Sequence, residues 1–337
     1  MKMKRRVIVA AVAAVVATVV TTVAAAGCGQ QSQAGGGSFP SRNVEIMVPA
    51  AAGGGWDLTA RSMQQVLKAG KLVDRPVEVY NVAGAGGTVG LSQLVNKGKG
   101  DSHQWMMTGL VMVGAIEQNK SAADLTEVTP IATLTAEPEV VVVPGKSRYR
   151  DLKTLLDDLA ANPAAIKWGG GSVGGTDHLV VGLLAKAAGV QPRQIQYVGY
   201  SGGGEAKAGL LSGDVMAGVS GVSEFQPLIA SGELRALAVT GPKGVTVAGK
   251  QVPSVKEAGF DVELMNWRAL VAAPGISDAD TQAVARIIDR MHASPEWQET
   301  LKRQGWEDFY RSGPQAREFI AAETTRIKAL IGELGLA

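Results

Sequence analysis

Four glycine-rich segments hold the residues of this chain that are best suited to binding chemistry. They are residues 49–57 (PAAAGGGWD), 84–90 (GAGGTVG), 169–178 (GGGSVGGTDH) and 201–205 (SGGGE). Each follows a predicted strand and precedes a predicted helix. Glycine lets the backbone approach a ligand closely, while the exposed amides and the dipole of a helix N-terminus favour an anion. Together the four segments predict a site for a small anion, built mainly from backbone amides.

The segment 84–90 also matches a variant of the glycine fingerprint of dinucleotide-binding proteins. That fingerprint is accompanied by an acidic residue at the end of the next strand, but the predicted strand 104–108 ends in Met107 and Thr108. A carboxylate can use the same amides as a phosphate. We therefore predict no nucleotide cofactor.

The segment 169–178 contains residue types that hydrolases use: Ser172, Thr176, Asp177 and His178. It lacks the G-x-S-x-G turn that exposes a nucleophilic serine. Hydroxyls and amides at the start of a helix more often hold a ligand or cap the helix, and His178 also suits a structural role. An exported hydrolase using Ser172 and His178 is thus the alternative, and a binding site is the preferred interpretation.

Charged and aromatic side chains adjoin these segments. Asp57 suits the N-terminal cap of its helix, and Glu205 falls in a first helical turn, where a carboxylate is favoured. Arg268 is the nearest candidate for direct pairing with a ligand carboxylate, although a solvated arginine is the expected state. Three tryptophans beside predicted strand ends or turns are expected in the core or at its rim: Trp56, Trp168 and Trp267.

The elements that must position these segments alternate between strand and helix. In the first half, strands are predicted at 43–49, 76–82 and 104–108, with helices at 57–69, 88–96 and 111–118. The valine run 140–143 predicts a buried strand that passes into a second domain. Later strands are predicted at 165–168, 195–198, 215–219 and 234–239, and later helices at 149–161, 177–188, 205–212, 224–231, 279–293, 295–304 and 314–334. Such units imply parallel sheets in two lobes, with the strand ends facing a cleft.

The N-terminal residues predict export. Four basic residues within 2–6 precede an uncharged run at 7–26, which is followed by Gly27 and by Cys28, the only cysteine. This order is typical of a secretory signal. Residues 25–28 (AAGC) resemble a lipoprotein box, in which the thiol of Cys28 receives a lipid. An uncleaved anchor and simple secretion are the alternatives, and all three place the rest of the chain outside the cytoplasm.

The composition excludes several classes of function. The 337 residues include 33 basic and 31 acidic ones, and without the four basic residues of the leader 29 basic residues remain against 31 acidic ones, a formal charge of −2. The chain has no block of basic residues of the kind that indicates nucleic-acid binding. One cysteine allows no intrachain disulfide, and the cysteine and histidine spacing of a zinc site is absent, so no metal is predicted. Residues 29–38 (GQQSQAGGGS) predict a flexible tether.

Five motifs in order resemble the TctC/Bug family of extracytoplasmic solute-binding proteins, which serve tripartite tricarboxylate transporters. They are PSRNVEIMVPAAAGGGWDLTAR at 40–61, NVAGAGGTVG at 81–90, DLKTLLDDLAANPAAIKWGGGSVGGTDHL at 151–179, YVGYSGGGEAKAGLLSGDVMAGV at 197–219 and VPSVKEAGFDVELMNWRALVAAPGIS at 252–277. The resemblance spans about residues 39–337. Trp56 stands where many members carry a small or polar residue.

The resemblance implies an α/β, type II periplasmic-binding-protein fold, in which two doubly wound α/β lobes close on a ligand cleft between them. The expected organisation is a lipoprotein signal peptide at 1–27, a flexible tether at 28–38, a first lobe of 39–142 with 265–337, and a second lobe of 143–264. Carried over residue by residue, the expected ligand-binding residues are Ala51, Ala52, Gly53, Gly54, Gly55, Asp57, Gly84, Ala85, Gly86, Gly87, Thr108, Ser172, Gly175, Thr176, His178, Ser201, Gly202 and Gly203.

The resemblance also implies a function without catalysis or a cofactor. We expect a monomeric receptor, periplasmic or held at the outer face of the cell membrane by a lipid on Cys28. It would capture a small carboxylate and deliver it to the permease subunits of a tripartite transporter. A tricarboxylate such as citrate is favoured, while dicarboxylates, carboxylated aromatics and acidic amino acids stay open. A carboxylate sensor acting on a membrane signalling partner is a further alternative.

Overall fold

The computed structural model of this protein describes residues 39–201 and 203–336. The predicted signal peptide at 1–27, the tether at 28–38 with the lipidation site Cys28, and the predicted ligand contact Gly202 lie outside the described residues. Within the described part of the chain, no helix combines the length and the apolar character needed to cross a membrane.

Three parallel strands and the helices that follow them build the first half of the fold. The strands are β1 (Val44–Val48), β2 (Val77–Asn81) and β3 (Gln104–Gly109), and β1 lies between the other two. They lead into α1 (Gly55–Ala69), α2 (Thr88–Lys97) and α3 (Leu110–Asn119). β1 is mostly buried and apolar, whereas the edge strand β2 is half-buried and alternates in polarity. The three predicted strand–helix units are confirmed.

A second group of parallel strands repeats this order. β5 (Lys167–Gly170) lies between β6 (Gln196–Gly199) and β7 (Ala217–Gly221). The helices are α4 (Leu152–Ala161), α5 (Thr176–Ala187), α6 (Gly203–Ser212) and α7 (Val222–Ser231). α4 begins at residue 152 and not at 149 as predicted, because the side chain of Asp151 accepts a hydrogen bond from the amide of Thr154 as an N-cap.

One long strand, β4 (Thr129–Pro144), joins the two groups. It pairs antiparallel with β11 (Met265–Ala272) and β12 (Glu307–Ser312) up to Pro138, and with β7 and β8 (Leu234–Val239) from Glu139 onward. β11 also pairs with β3, so the strand order runs β2-β1-β3-β11-β4-β7-β5-β6. The predicted parallel pairing is therefore correct only for the outer strands, because antiparallel strands occupy the centre. The lobe boundaries at 142/143 and 264/265 stay a prediction.

The valine run 140–143 shows how β4 serves both groups. Alternate side chains of a strand point to opposite faces of the sheet. Val141 and Val143 lie in the large core, whereas Val140 and Val142 lie in a smaller core built by α6, α7 and β8. All four valines are fully buried, which confirms the prediction of a buried strand.

The C-terminal helices were predicted, but a short hairpin before them was not. The helices are α8 (Asp278–His292), α9 (Pro295–Gln304) and α10 (Gly313–Leu334). Ser277 and Ser294 cap α8 and α9 by accepting hydrogen bonds from backbone amides. The hairpin consists of β9 (Val245–Val247) and β10 (Lys250–Val252) and turns at Ala248 and Gly249, which both have positive φ, as a tight hairpin turn requires.

Candidate functional site

Loops that follow four of the parallel strands converge on one cleft. The loops after β1 and β2 come from the first strand group, and the loops after β5 and β6 come from the second. Ligands of open α/β sheets bind at the carboxyl ends of the strands. The cleft has a volume of about 290 Å³, close to the lower end of the roughly 300–1,000 Å³ found for small-molecule sites. It therefore suits a ligand with few atoms.

Ten residues that were predicted to bind a ligand line this cleft. They come from all four glycine-rich segments and are Gly54, Gly55, Gly84, Ala85, Gly86, Gly87, Ser172, Gly175, Thr176 and Ser201. Segments that are distant in the sequence therefore meet at one place in the fold.

Six other predicted residues are absent from the lining of the cleft. Ala52 is exposed and Thr108 is fully buried at the end of β3. Both belong to the set of six: Ala51, Ala52, Gly53, Asp57, Thr108 and His178. A turn presents only part of its residues to one side, and a direct ligand contact by any of these six residues stays a prediction.

The first loop, after β1, is held in shape by the side chain of Asp57. Its carboxylate accepts hydrogen bonds from the amide of Gly53, Nε of Arg61 and Nδ2 of Asn81, each at 3.0 Å. Burial alone would raise the pKa of Asp57, but these hydrogen bonds hold it below its usual value. Asn81 also donates to the carbonyl of Ala50 at 3.0 Å. Asp57 therefore positions the loop, and Asn81 ties it to the end of β2.

The second loop, after β2, requires glycine. Gly86 and Gly87 have φ values of 63° and 100°, in the left-handed region that glycine adopts at no steric cost. A Cβ on Gly86 would lie 2.4 Å from the Cβ of Ala115, and one on Gly87 would lie 2.8 Å from Cε of Met112. The amides of Ala85 and Gly86 have no acceptor among the described residues. These amides are therefore available to a ligand.

The third loop, after β5, is supported by the first turn of α5. Oδ2 of Asp177 accepts a hydrogen bond from the amide of Gly171 at 2.6 Å, and Nδ1 of His178 accepts one from the amide of Gly174 at 3.1 Å. The imidazole stacks on Tyr197 with ring centroids 4.3 Å apart. Burial lowers the pKa of His178 to about 4, so the ring is neutral at pH 7 and supports the loop.

No hydrolase arrangement is formed by these side chains. Among the described residues, no hydrogen bond joins His178 to Ser172, and Nδ1 of His178 is already used by the loop. The amides of Ser172 and Val173 have no acceptor among the described residues, although both residues line the cleft. The third loop therefore offers donors to an anion and no activated nucleophile.

The floor of the cleft carries charged side chains. Arg268 on β11 is only 1% exposed, which corrects the expectation of a solvated arginine. Its Nη2 donates to Oε1 of Glu137, and the carboxylate of Glu137 also accepts from the amide and the hydroxyl of Ser223, each at 2.9 Å. Nη1 of Arg268 has no partner among the described residues. Because Arg268 lines the cleft, its guanidinium is a well-placed donor for a ligand carboxylate.

Among the described residues, four buried carboxyl groups surround this guanidinium: Glu137, Glu139, Asp177 and Glu224. Burial raises the pKa of Glu139 well above its usual value, that of Asp177 to about 6 and that of Glu224 to about 7. Neither oxygen of Glu139 has a hydrogen-bond partner among the described residues, as fits a neutral carboxyl. The floor therefore carries less negative charge at pH 7 than its composition suggests.

Most of this floor was not predicted from the sequence, although Arg268 was named as a candidate partner for a ligand carboxylate. Asn266 and Arg268 come from β11, while Ser220 and Glu224 come from the end of β7 and the start of α7. Because β11 contains polar residues, it was not predicted as a strand, and Asn266 and Arg268 were assigned to no element. Gly221 could have indicated this part of the cleft, because it precedes a helix as the other loop glycines do. A Cβ on Gly221 would lie 2.7 Å from Oε1 of Glu137.

Two hydrogen bonds join the walls across the cleft. The amide of Ala51 donates to the carbonyl of Ser201 at 3.3 Å, and the amide of Gly55 donates to Oε1 of Glu224 at 2.9 Å. Gly55 is the first residue of α1, and a Cβ on it would lie 2.2 Å from Nη2 of Arg268. The N-terminus of α1 thus already accommodates a carboxylate, which is the chemistry of anion binding.

The sequence of this chain is similar to those of known proteins over most of its length. Residues 59–336 match TctC, described as the tripartite tricarboxylate transporter family receptor. The UPF0065 protein in the tcbD-tcbE intergenic region of Pseudomonas sp. strain P51 is 30% identical over 305 residues, which cover 89% of this chain and 88% of that protein.

Solved structures share the fold. The periplasmic binding protein BugD superposes with a TM-score of 0.80 at 24% identity, over 88% of this chain and 99% of its own. MatC from Rhodopseudomonas palustris with bound malate gives 0.77 at 23% identity, over 87% and 100%. Rpa4515 from the same organism with adipate gives 0.78 at 21% identity, over 88% and 99%. The fold is thus that of periplasmic solute-binding proteins.

Proposed function

The chain belongs to the TctC family of tripartite tricarboxylate transporter receptors, which are solute-binding proteins and not enzymes, and on that premise we propose that it captures a small carboxylate outside the cytoplasm for a membrane transporter. The observation that carries the proposal is the cleft. It is lined by two glycine loops that contain amides without acceptors among the described residues, and by one buried guanidinium, that of Arg268.

These donors match a carboxylate. Hydrogen bonds from amides and from a guanidinium to an ionised oxygen are shorter and stronger than neutral ones. The amides of Ala85 and Gly86 come from one wall, and those of Ser172 and Val173 come from the other. Oγ1 of Thr176, which also lacks a partner among the described residues, adds a hydroxyl. A ligand with a carboxyl group at each end can engage both walls at once.

The charges of the floor favour two carboxyl groups on the ligand over three. Glu224 and Asp177 line the cleft beside Arg268, and a third ligand carboxylate would add repulsion without a further cation. The similar proteins solved with malate and with adipate hold dicarboxylates. We therefore propose a dicarboxylate as the ligand and keep citrate, favoured from the sequence alone, as the competing tricarboxylate.

Closure of the cleft is the proposed means of signalling occupancy. A ligand that contacts both walls stabilises the closed form over the open one and shifts their populations. The hydrogen bonds from Ala51 to Ser201 and from Gly55 to Glu224 also connect the two walls, as such a ligand would. The closed form would then be recognised by the permease subunits of a tripartite transporter.

Attachment to the membrane is a separate proposal. We propose that Cys28 carries the lipid that keeps the receptor near its permease. Mass spectrometry of the N-terminal peptide from the native host tests this directly: a lipid-modified Cys28 at the mature N-terminus supports it, and an unmodified N-terminus contradicts it.

Calorimetric titration of the protein, unfolded and refolded to remove bound ligand, tests the carboxylate assignment. The panel is malate, succinate, adipate, citrate, glutamate and nicotinate. One-to-one binding of a dicarboxylate without product formation is expected. Gly86→Ala should weaken binding because its Cβ would strike Ala115, whereas Gly332→Ala on the exposed face of α10 should bind normally. A folded protein that binds no carboxylate of the panel would contradict the proposal.

A further inference from the structure

The carboxyl group of Glu224 occupies a position that an anionic ligand would be expected to use. Glu224 lies near the start of α7, is 7% exposed and lines the cleft. Its Oε1 accepts the hydrogen bond of the Gly55 amide at 2.9 Å from the opposite wall. Gly55 begins α1, and the first amides of a helix are an anion-binding site. The protein's own carboxylate is therefore present at this amide.

The groups around Glu224 leave its charge poorly compensated. Arg268 on β11 and Lys207 on α6 favour its ionised form, while Asp177 on α5 and Glu137 on β4 oppose it. Arg268 is already paired with Glu137. A ligand that brings a carboxylate into the same cleft adds one more negative charge, and this repulsion is removed if Glu224 holds a proton.

We propose that Glu224 determines the ionic form in which the cleft accepts its ligand: a dicarboxylate dianion binds together with one proton from solvent, which Glu224 takes up. The proton bonds to a carboxylate oxygen of Glu224, and the resulting hydroxyl donates a hydrogen bond to a carboxylate oxygen of the ligand. No covalent bond of the ligand changes. This inference rests on the proposed function and adds a specificity-determining residue to it.

The coupling has a defined pH dependence. Burial raises the pKa of Glu224 to about 7 in the protein without ligand. Below that pH the proton is already present, so affinity for the dianion is constant. Above that pH, binding requires the uptake of one proton, and the affinity therefore falls about tenfold for each pH unit.

Calorimetry with malate and adipate as probes tests the proposal, because both are fully ionised above about pH 7. The wild-type protein, Glu224→Gln and the control Glu233→Gln are titrated at about pH 7.5 and 8.5 in two buffers of different ionisation enthalpy. The glutamine amide can still accept from Gly55 and donate to the ligand, but it cannot ionise. Glu233 is exposed, so its variant removes the same charge away from the cleft.

The expected result for the wild type and for Glu233→Gln is uptake of one proton and a loss of about tenfold in affinity over that pH unit. Glu224→Gln should show no proton uptake and an affinity that does not change with pH. At the higher pH it should therefore bind more tightly than the wild type. Proton uptake that persists in Glu224→Gln, a wild type that takes up no proton, or a folded Glu224→Gln that binds neither probe would overturn the role of Glu224. Absence of binding by every protein to every panel member would instead remove the proposed function.

Carbon-13 NMR of the wild-type protein decides the matter if Glu224→Gln does not fold. With the side-chain carboxyl carbons of glutamate labelled, the resonance of Glu224 should titrate near pH 7 in the free protein and move to higher pH when malate or adipate is bound. A titration midpoint that the ligand leaves unchanged would overturn the proposal.

Discussion

The rim and the floor of the cleft are built in opposite ways. The rim consists of glycine loops after β1, β2, β5 and β6, which present backbone amides. The floor consists of charged side chains on β4, β11 and α7, of which Glu137, Arg268 and Glu224 are buried. The rim therefore supplies a general preference for an anion, whereas the floor can limit how many charges the anion carries.

Removing the cation of the floor should have the largest effect on stability. Arg268→Met leaves the carboxylate of Glu137 buried without its ion-pair partner, which costs about 3–5 kcal/mol. Denaturant unfolding measures this loss. Arg326→Met, which breaks a half-exposed pair with Glu323, should cost less than about 1 kcal/mol. The double variant Arg268→Met, Glu137→Gln should recover most of the loss, and equal losses in the single and double variants would contradict the assignment.

A smaller effect is expected from a change at the rim. Gly86→Ala places a Cβ at a positive φ and 2.4 Å from the Cβ of Ala115, so it should cost about 2–3 kcal/mol through backbone strain and overpacking. Gly86→Ala should weaken ligand binding without altering the floor, since the carboxyl and guanidinium groups there are untouched. Gly332→Ala on α10 should leave stability unchanged or raise it slightly. If Gly86→Ala unfolds no more readily than the wild type, the loop has more room than described.

The acid dependence of stability separates rim from floor by sign. The pKa of His178 is lowered to about 4 by burial, so the stability it contributes is lost as pH falls from about 6.5 toward 4, an effect of about 2 kcal/mol after allowance for partial exposure. His178→Gln should reduce this acid loss. The pKa of Glu224 is raised to about 7, so its contribution is present below about 4.5 and lost as pH rises.

Unfolding curves of His178→Gln and Glu224→Gln across pH 4 to about 8 should therefore deviate from the wild type in opposite directions. Glu233→Gln serves as the control, because Glu233 is exposed. Deviations of the same sign in both variants would contradict the contrast between rim and floor.

The rim could be predicted from the sequence because its determinants are local. A short apolar run, a cluster of glycines and an amphipathic stretch follow one another within about 30 residues, as in a strand–helix unit. The first loop shows this, since β1, the glycines at 53–55 and α1 all appear where expected. The family motifs lie in the same loops, and ten predicted residues there line the cleft.

The floor could not be predicted because it depends on pairing between distant segments. Arg268 meets Glu137 only because β11 pairs with β4 across more than a hundred residues. The sequence MNWRALVA of β11 contains a charged and an amide side chain, so its pattern does not predict a buried strand. The side chains of Asp57 and His178 accept hydrogen bonds from amides of their own loops, and this direction is not encoded in the local pattern. Loop position was predictable, and side-chain direction was not.

A crystal structure of the protein with the tightest-binding member of the carboxylate panel would show whether the amides of the rim hold the ligand. We expect one ligand in the cleft, with a carboxylate oxygen within about 3 Å of an amide nitrogen of loop 84–87 or loop 171–175. Arg268 and Glu224 should remain at the floor beneath the ligand. A ligand bound elsewhere, or one held in the cleft without any contact to these amides, would contradict the proposed binding site.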